Sequence, residues 1–196
     1  MQEEAKLKMA MDAFDQYNSK DPNGEIVDSK MVPKELLYAQ RMTERLLIFC
    51  PDSPEYLKLA ARSQHIGRWE IPRSSYPMDK KGYLQWRNKL KDHHASIAEP
   101  ILKNCGYEEF IIEKVKALLL KKNLTTNPDT QTLEDVICLV FLEHYAEEFA
   151  AKHEDEKVVD ILRKTIKKMS AKAIQSVEKL TLSDKIKSMI HAAVND

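Results

Sequence analysis

Apolar side chains recur at the spacing of an α-helix in nearly every long segment of this chain. Leu7, Ala10, Phe14 and Tyr17, for example, are three or four residues apart and fall on one helix face. Only 4 glycines occur in 196 residues, whereas average usage gives about 14. So few glycines argue against a sheet-rich fold with many tight turns and against glycine-rich phosphate-binding loops. The sequence therefore predicts an all-α fold.

The helical stripes and the polar or proline-rich segments between them predict eight or nine helices in one domain that spans residues 1–196. The predicted helices cover approximately residues 3–20, 33–49, 55–69, 80–104, 108–121, 132–153, 156–169, 170–180 and 183–194. The expected irregular connections are residues 21–33, 70–78 and 123–131. Thr132, Ser170 and Ser183 are suited to cap helix N-termini, because their hydroxyls accept hydrogen bonds from free backbone N–H groups.

Residues 136–142 are seven consecutive apolar residues within the predicted helix 132–153. A helix that is apolar on every face has to be surrounded by other elements, so we expect this helix to be the central one. Cys138 lies in this run, and with Cys50 and Cys105 it makes an odd number of cysteines without a C-x-x-C pair. This usage indicates buried apolar thiols in a reducing compartment.

The charge balance excludes several classes of function. Lys plus Arg and Asp plus Glu number 31 each, so the formal net charge is zero. This argues against a strongly basic nucleic-acid-binding protein and against an acidic tail protein. No apolar run reaches the ~20 residues that span a bilayer, and the acidic start Met1-Gln2-Glu3-Glu4 lacks the apolar core of a signal peptide. We expect a cytoplasmic protein without a membrane partner.

Several polar residues interrupt otherwise apolar helix faces, where burial costs free energy unless the polar group has a partner. These residues, from four predicted helices, are Glu35, Tyr38, Gln64, His65, His93, His94 and Asp135. Side chains of these types from several helices are how helical bundles build metal sites. Imidazole and carboxylate together suit Mn, Fe, Zn or Ni rather than Ca. The pattern therefore predicts a divalent transition-metal site.

Each of these residues also has a structural interpretation. His93 and His94 suit an ordinary helix in which one imidazole faces solvent and the other is hydrogen-bonded in the core. Asp135, close to the predicted start of its helix, is placed to complete an N-terminal cap. Tyr38 is of a type that often lies in the core with its hydroxyl bonded, and His65 near a helix end can bond backbone carbonyls.

Arginine is concentrated in one part of the chain. Six of the seven arginines lie between residues 41 and 87, whereas lysine is the usual basic residue elsewhere. Guanidinium groups hold phosphate or carboxylate in a bidentate fork, so this segment suits a small phosphorylated ligand. The candidate ligand-binding residues are Arg62, Arg68, Arg73, Tyr38 and Trp69. The alternative is that these arginines pair with surface acids such as Glu44, Glu55 and Glu70.

A second basic stretch lies near the C-terminus. Residues 163–187 contain eight Lys or Arg and two acids. Because no aromatic residues are interleaved with these charges, we interpret the stretch as a solvated helix face rather than a nucleic-acid surface.

Four segments carry a resemblance to a known family. Residues 64–78 (QHIGRWEIPRSSYPM), 82–87 (GYLQWR) and 131–142 (QTLEDVICLVFL), together with the pair His93–His94, resemble the domain-of-unknown-function family 4202. The resemblance covers nearly the whole chain, and it implies no established activity.

The order of the His and Asp residues is also similar to that of the HD superfamily of helical metal-dependent phosphohydrolases. Residues 59–67 (LAARSQHIG) resemble its His-Asp segment, residues 92–95 (DHHA) its additional His segment and residues 132–135 (TLED) its late Asp segment. Tyr38 stands where the superfamily has an early His, and Gln64–His65 stand where it has the His-Asp pair. The resemblance implies a compact HD-domain-like helical bundle.

This resemblance implies a metal-dependent phosphohydrolase that acts on a phosphorylated small molecule or nucleotide. The implied metal ligands are His65, His93 or His94, and Asp135, with Glu35 or Gln64 completing the set. The implied phosphate-binding residues are Arg62, Arg68 and Arg73. Glu70 or Glu134 would act as the general base on a metal-bound water. Because ligand positions are replaced, two alternatives stay open: a catalytically degenerate HD-like domain that binds an anionic or nucleotide ligand, and a structural interaction domain.

Overall fold

The computed structural model describes residues 2–122 and 126–195. Within these ranges it contains ten α-helices and one small hairpin, so the predicted all-α class is confirmed. The elements are α1 (Gln2–Asn18), β1 (Gly24–Val27), β2 (Lys30–Pro33), α2 (Lys34–Phe49), α3 (Glu55–Ser63), α4 (Lys80–Asn104), α5 (Glu109–Leu119), α6 (Pro128–His144), α7 (Ala146–Ala151), α8 (Asp155–Ile166), α9 (Ala171–Val177) and α10 (Asp184–Asn195). Two short 3₁₀ turns, Arg68–Glu70 and Arg73–Ser75, lie between α3 and α4.

Helix α6 lies at the centre of the fold, as its apolar run predicts. It contacts α2, α3, α5, α7 and α9, which come from both halves of the chain. Val136, Leu139 and Val140 are fully buried. Ile137 and Phe141 are only partly buried, so the expectation of burial on every side is wrong for one face of the helix. That face lines a pocket, described below.

The segment that follows α1 forms a hairpin, not the loop that we expected. Strands β1 and β2 pair antiparallel, with Gly24 opposite Pro33 and Val27 opposite Lys30. Asp28 and Ser29 connect them, both with positive φ, which gives the turn a twist that matches paired strands. The sequence did not reveal it because Asp-Ser lacks the glycine that usually marks such a turn.

The central helix begins earlier and ends earlier than predicted. Asn127 caps it by accepting hydrogen bonds from the N–H groups of Asp129 and Thr130, and Pro128 occupies its first turn. Thr132 therefore lies inside the helix and is not its cap. The helix stops at Tyr145 instead of continuing to residue 153. Of the predicted connection 123–131, residues 123–125 lie outside the described residues.

Other boundaries follow local hydrogen bonding. Ser170 and Ser183 accept hydrogen bonds from the N–H groups of Ala173 and Ile186, so both predicted caps are confirmed. The third helix ends at Ser63, not near residue 69, and a tight turn follows.

None of the helices in residues 2–122 and 126–195 has both the length and the apolarity that a bilayer span requires.

The tight turn after α3 depends on Gly67, and a pair of glycine variants tests this. Gly67 and Gly106 both have positive φ, where alanine costs about 1–2 kcal/mol. A Cβ atom at Gly67 would lie 2.4 Å from Ile97 Cδ1, whereas at Gly106 no heavy atom of the described residues lies within 4 Å. Because the terminal methyl group of Ile97 can shift, we expect Gly67→Ala to lower the free energy of unfolding by ~2 kcal/mol and Gly106→Ala by ~1 kcal/mol in urea titrations. Equal losses would contradict the close packing at Gly67.

Candidate functional site

A pocket of about 480 Å³ opens between α2, α4, α6, α8 and the turn that follows α3. Pockets of this volume are typical of small-molecule sites. Six cationic side chains line it: Lys34, Arg68, Arg87, Lys121, Lys164 and Lys168. Only two carboxylates line it, Glu35 and Glu134. The pocket therefore carries excess positive charge although the chain as a whole is neutral.

Helical spacing explains how α6 and α8 form one wall of the pocket. On α6, Glu134, Ile137 and Phe141 follow one another at intervals of three and four residues and share a face. Ile161 and Lys164 face the same cavity from α8. The wall is apolar in its middle, so the pocket combines an apolar surface with a cationic one.

Glu35 lies in the first turn of α2, lines the pocket and is 6% exposed. Its Oε2 lies 3.3 Å from His65 Nδ1, and its Oε1 lies 3.6 Å from Arg68 Nε. Burial raises the pKa of Glu35 to about 7, although the positive charge of Arg68 acts in the opposite direction. This carboxyl group can therefore exchange a proton near neutral pH.

The hydrogen bonds around His65 determine which of its nitrogens carries the proton. Arg68 Nη1 lies 3.1 Å from His65 Nε2, and a guanidinium group can only donate. Nε2 therefore accepts, so the neutral imidazole carries its proton on Nδ1, which lies 3.3 Å from Glu35 Oε2. Burial, with the nearby charge of Arg68, lowers the pKa of His65, so the imidazole is neutral at pH 7. We call Glu35, His65 and Arg68 the buried-acid cluster.

Aromatic rings support the buried-acid cluster. The ring of Tyr38 stacks on His65 with centroids 4.0 Å apart, and Arg68 lies over the ring of Trp86 at 4.8 Å. Burial raises the pKa of Tyr38 well above its usual value, so its hydroxyl stays protonated. Tyr145 also lines the pocket, and its hydroxyl accepts a hydrogen bond from Arg41 at 2.9 Å.

Glu134 lies on α6 in a different part of the pocket lining, among cations. It forms a close, buried ion pair with Lys121. Burial would raise the pKa of Glu134, but the charges of Lys121, Lys168 and Arg87 hold it below its usual value. Burial lowers the pKa of Lys121, an effect that Glu134 opposes. We call Arg87, Lys121, Glu134 and Lys168 the basic cluster.

His93 and His94 hold the turn after α3 rather than lining the pocket. His94 Nδ1 donates to the carbonyl of Ile66 at 2.6 Å, and His93 Nε2 lies 3.2 Å from the carbonyl of Gly67. Burial lowers the pKa of His94 to about 3, so this imidazole is neutral. His93 Nε2 also lies 3.1 Å from Glu70 Oε2. The two imidazoles therefore attach α4 to the turn that carries His65.

Asp135 bonds Ser170, the residue that caps α9. Its Oδ1 accepts from the backbone N–H of Ser170 at 2.8 Å and from Gln131 Nε2 at 2.9 Å, and its Oδ2 accepts from Ser170 Oγ at 2.6 Å. Its carboxylate thus joins α6 to the start of α9. The cap that we considered for α6 itself is wrong, because the bonded N–H belongs to another helix. Asp135 is not part of the pocket lining.

The other predicted site residues divide between the pocket and its surroundings. Gln64 is 5% exposed and lines the pocket, with no partner for its Oε1 in the described structure. Arg62 holds Asp15 through two hydrogen bonds, at 2.7 and 2.5 Å. Arg73 donates to backbone carbonyls of the turn before α4. Trp69 packs on Tyr17, whose hydroxyl donates to Glu70. Arg62, Arg73, Trp69 and Glu70 are absent from the pocket lining.

The donor set does not form a metal site in the part of the chain that the structure describes. There, no group of three or more His, Cys, Asp or Glu side chains could hold a metal ion. Asp135 and the pair His93–His94 already have other hydrogen-bond partners. The expected Mn, Fe, Zn or Ni ion stays a prediction.

Sequence analysis missed most of the cations in the pocket. Lys34, Lys121, Lys164 and Lys168 were not candidates, and Arg87 was only counted among the clustered arginines. Lys164 and Lys168 belong to the stretch that we interpreted as a solvated face. One signal was present, because Ile161, Lys164 and Lys168 are spaced to share a helix face.

Comparison with known proteins identifies the family. The chain matches the family model described as "Domain of unknown function (DUF4202)" over residues 8–190, and it belongs to that family. No curated protein and no solved structure matches the chain. The resemblance to this family is therefore confirmed, whereas the resemblance to the HD superfamily stays a prediction.

The buried position of Glu35 predicts an unusual dependence of stability on pH. With a pKa near 7 in the folded state and about 4.3 in the unfolded chain, Glu35 binds more proton when folded. Its contribution is therefore present at pH 5 and is lost as the pH rises through 7. Relative to wild type, Glu35→Gln should gain ~2–3 kcal/mol of unfolding free energy between pH 5 and 8 in urea titrations. A difference that does not change with pH would show that Glu35 is ionised throughout.

Proposed function

We propose that this member of the DUF4202 family binds a small phosphorylated molecule in the cationic pocket. The observation that carries the proposal is the uncompensated charge: six cationic side chains line the pocket, and among the described residues only three of them, Arg68, Lys121 and Lys164, have an acidic partner. Within the described ranges, Lys34, Arg87 and Lys168 have no acidic side chain within ion-pair distance. Positive charge that is concentrated in a cleft with apolar walls attracts and retains an anion.

The composition of the pocket supports phosphate over a purely apolar ligand. Guanidinium and ammonium groups are the side chains that bind phosphate most strongly, through charge-assisted hydrogen bonds. The apolar surface formed by Ile137, Phe141 and Ile161 can contact the rest of the molecule. The pocket therefore suits a ligand with one strongly anionic end and one less polar part.

Neighbouring lysines provide a matched test of binding. Both lysines are exposed, but Lys168 lines the pocket and Lys167 does not. The two glutamine variants remove the same charge one residue apart. We expect Lys168→Gln to weaken binding of phenyl phosphate about tenfold, equivalent to ~1.4 kcal/mol, and Lys167→Gln to leave it within about twofold. Isothermal titration calorimetry at constant ionic strength measures both.

Either of two results would refute the proposal. If phenyl phosphate and inorganic phosphate both fail to bind wild-type protein, the pocket is not a phosphate site, and the structural interaction domain becomes the better hypothesis. If both lysine variants weaken binding equally, the effect comes from the general charge of the protein and not from the pocket.

A phosphohydrolase is the second candidate, and Glu35 is the observation that favours it. A buried carboxyl group with a pKa near 7 is suited to act as a general acid or base at neutral pH. It also contacts His65 within the pocket. Glu134 is less suited to this role because its ion pair with Lys121 keeps it charged, and Glu70 lies outside the pocket lining.

Phosphate release together with metal analysis tests this second candidate. If the protein is a phosphohydrolase, Glu35→Gln should reduce release of phosphate from phenyl phosphate at least ~100-fold and leave its binding within about threefold. Wild-type protein that binds but releases no phosphate, with or without added Mn, Fe, Zn or Ni salts, would contradict the hydrolase and leave the binding protein. Elemental analysis of purified wild type and of Asp135→Ala tests the predicted metal directly.

A further inference from the structure

The two charged clusters of the pocket differ in net charge. In the basic cluster, Arg87, Lys121 and Lys168 surround one carboxylate, Glu134. In the buried-acid cluster, Arg68 faces one carboxyl group, Glu35. The basic cluster therefore has two more positive than negative groups, whereas the buried-acid cluster has no more than one. Lys34, which adjoins Glu35, also lines the pocket, so when Glu35 is ionised the end at Glu35 has one excess positive group and the basic cluster has two.

The two clusters lie on different elements. Arg87 comes from α4, Lys121 follows α5, Glu134 lies on α6 and Lys168 follows α8. Glu35 begins α2, and its partners lie in the turn after α3. Along α6 the pocket lining extends from Glu134 to Phe141 and on to Tyr145, and seven residues of helix already span about 10 Å. Tyr145 lies 6.0 Å from Tyr38, the residue stacked on His65, so the far end of this wall reaches the buried-acid cluster.

We propose that the ligand is a phosphate monoester whose dianionic phosphate lies in the basic cluster and whose other end presents an uncharged hydrogen-bond donor to Glu35. This inference rests on the proposed function and specifies the class of ligand. A phosphate monoester carries a charge of about −1.5 to −2 at pH 7, which matches the excess of two positive groups. A second anionic group would meet the Glu35 carboxyl and would be disfavoured.

The charge of the ligand can be varied at nearly constant shape. Phenyl phosphate gains its second negative charge near pH 6, whereas phenyl sulfate keeps one charge. We expect phenyl phosphate to bind about ten times more tightly than phenyl sulfate at pH 7.5. At pH 5.5 the dianion is the minor form. The preference for phenyl phosphate, measured as the dissociation constant of phenyl sulfate divided by that of phenyl phosphate, should therefore fall about fourfold. Titration of Glu35 affects both probes, so the ratio reports the ligand charge.

A second matched pair tests the other end of the pocket. 4-(Hydroxymethyl)phenyl phosphate offers a hydroxyl donor where 4-carboxyphenyl phosphate offers an anion. We expect the hydroxymethyl compound to bind at least tenfold more tightly at pH 7.5. In Glu35→Gln this preference should decrease to about threefold or less, because the opposing carboxylate is gone. Lys168→Gln should instead reduce the preference for phosphate over sulfate, and Lys167→Gln should change neither.

The results separate this inference from the proposed function. Equal binding of phenyl phosphate and phenyl sulfate at both pH values, or tighter binding of the carboxy compound, would overturn the inference while the pocket remains an anion site. If none of the probes binds and inorganic phosphate also fails, the proposed function is refuted and the inference with it.

Discussion

The burial of the Glu35 carboxyl group is the interaction on which the pocket depends. Removing a carboxyl group from water is costly unless charged or polar groups replace the lost solvation. Here the neutral imidazole of His65 and the guanidinium of Arg68 supply part of that replacement, and the pKa near 7 shows that it is incomplete. The start of α2 helps, because a helix N-terminus favours negative charge. Asp21, which accepts the backbone N–H of Glu35, acts in the opposite direction, because its negative charge raises the pKa of Glu35.

The position of His65 in turn depends on a turn that α4 holds from outside. His93 and His94 bond the carbonyls of Gly67 and Ile66, and Gly67 leaves no room for a Cβ atom beside Ile97. These contacts fix the backbone two residues from His65. The histidine pair therefore acts on the pocket indirectly, by positioning His65. Both imidazoles bond backbone carbonyls of the turn, so they lie buried or half-buried without lining the cavity.

The sequence predicted the fold more completely than the site. Helical periodicity and capping residues such as Ser170 are local properties, so nearly every helix was predicted. The hydrogen bonds between Asp135 and Ser170 were not predicted because they join residues 35 positions apart. For the same reason the convergence of Arg87, Lys121 and Lys168 was missed, since each looks locally like an ordinary surface cation on a helix or just beyond one. Glu35 and His65 were found because a polar residue on an apolar face is visible locally.

The basic cluster lowers the stability of the folded state, because its positive charges outnumber its one carboxylate. Arg87, Lys121 and Lys168 repel one another, and Glu134 compensates only one of the three charges. Proteins tend to break the rules of good packing and charge balance at functional sites. An anion in the pocket would remove the repulsion and stabilise the folded state by mass action, more strongly as its concentration exceeds the dissociation constant. The proposed function accounts for such a cluster, because the charges are unfavourable when the pocket is empty and favourable when an anion fills it.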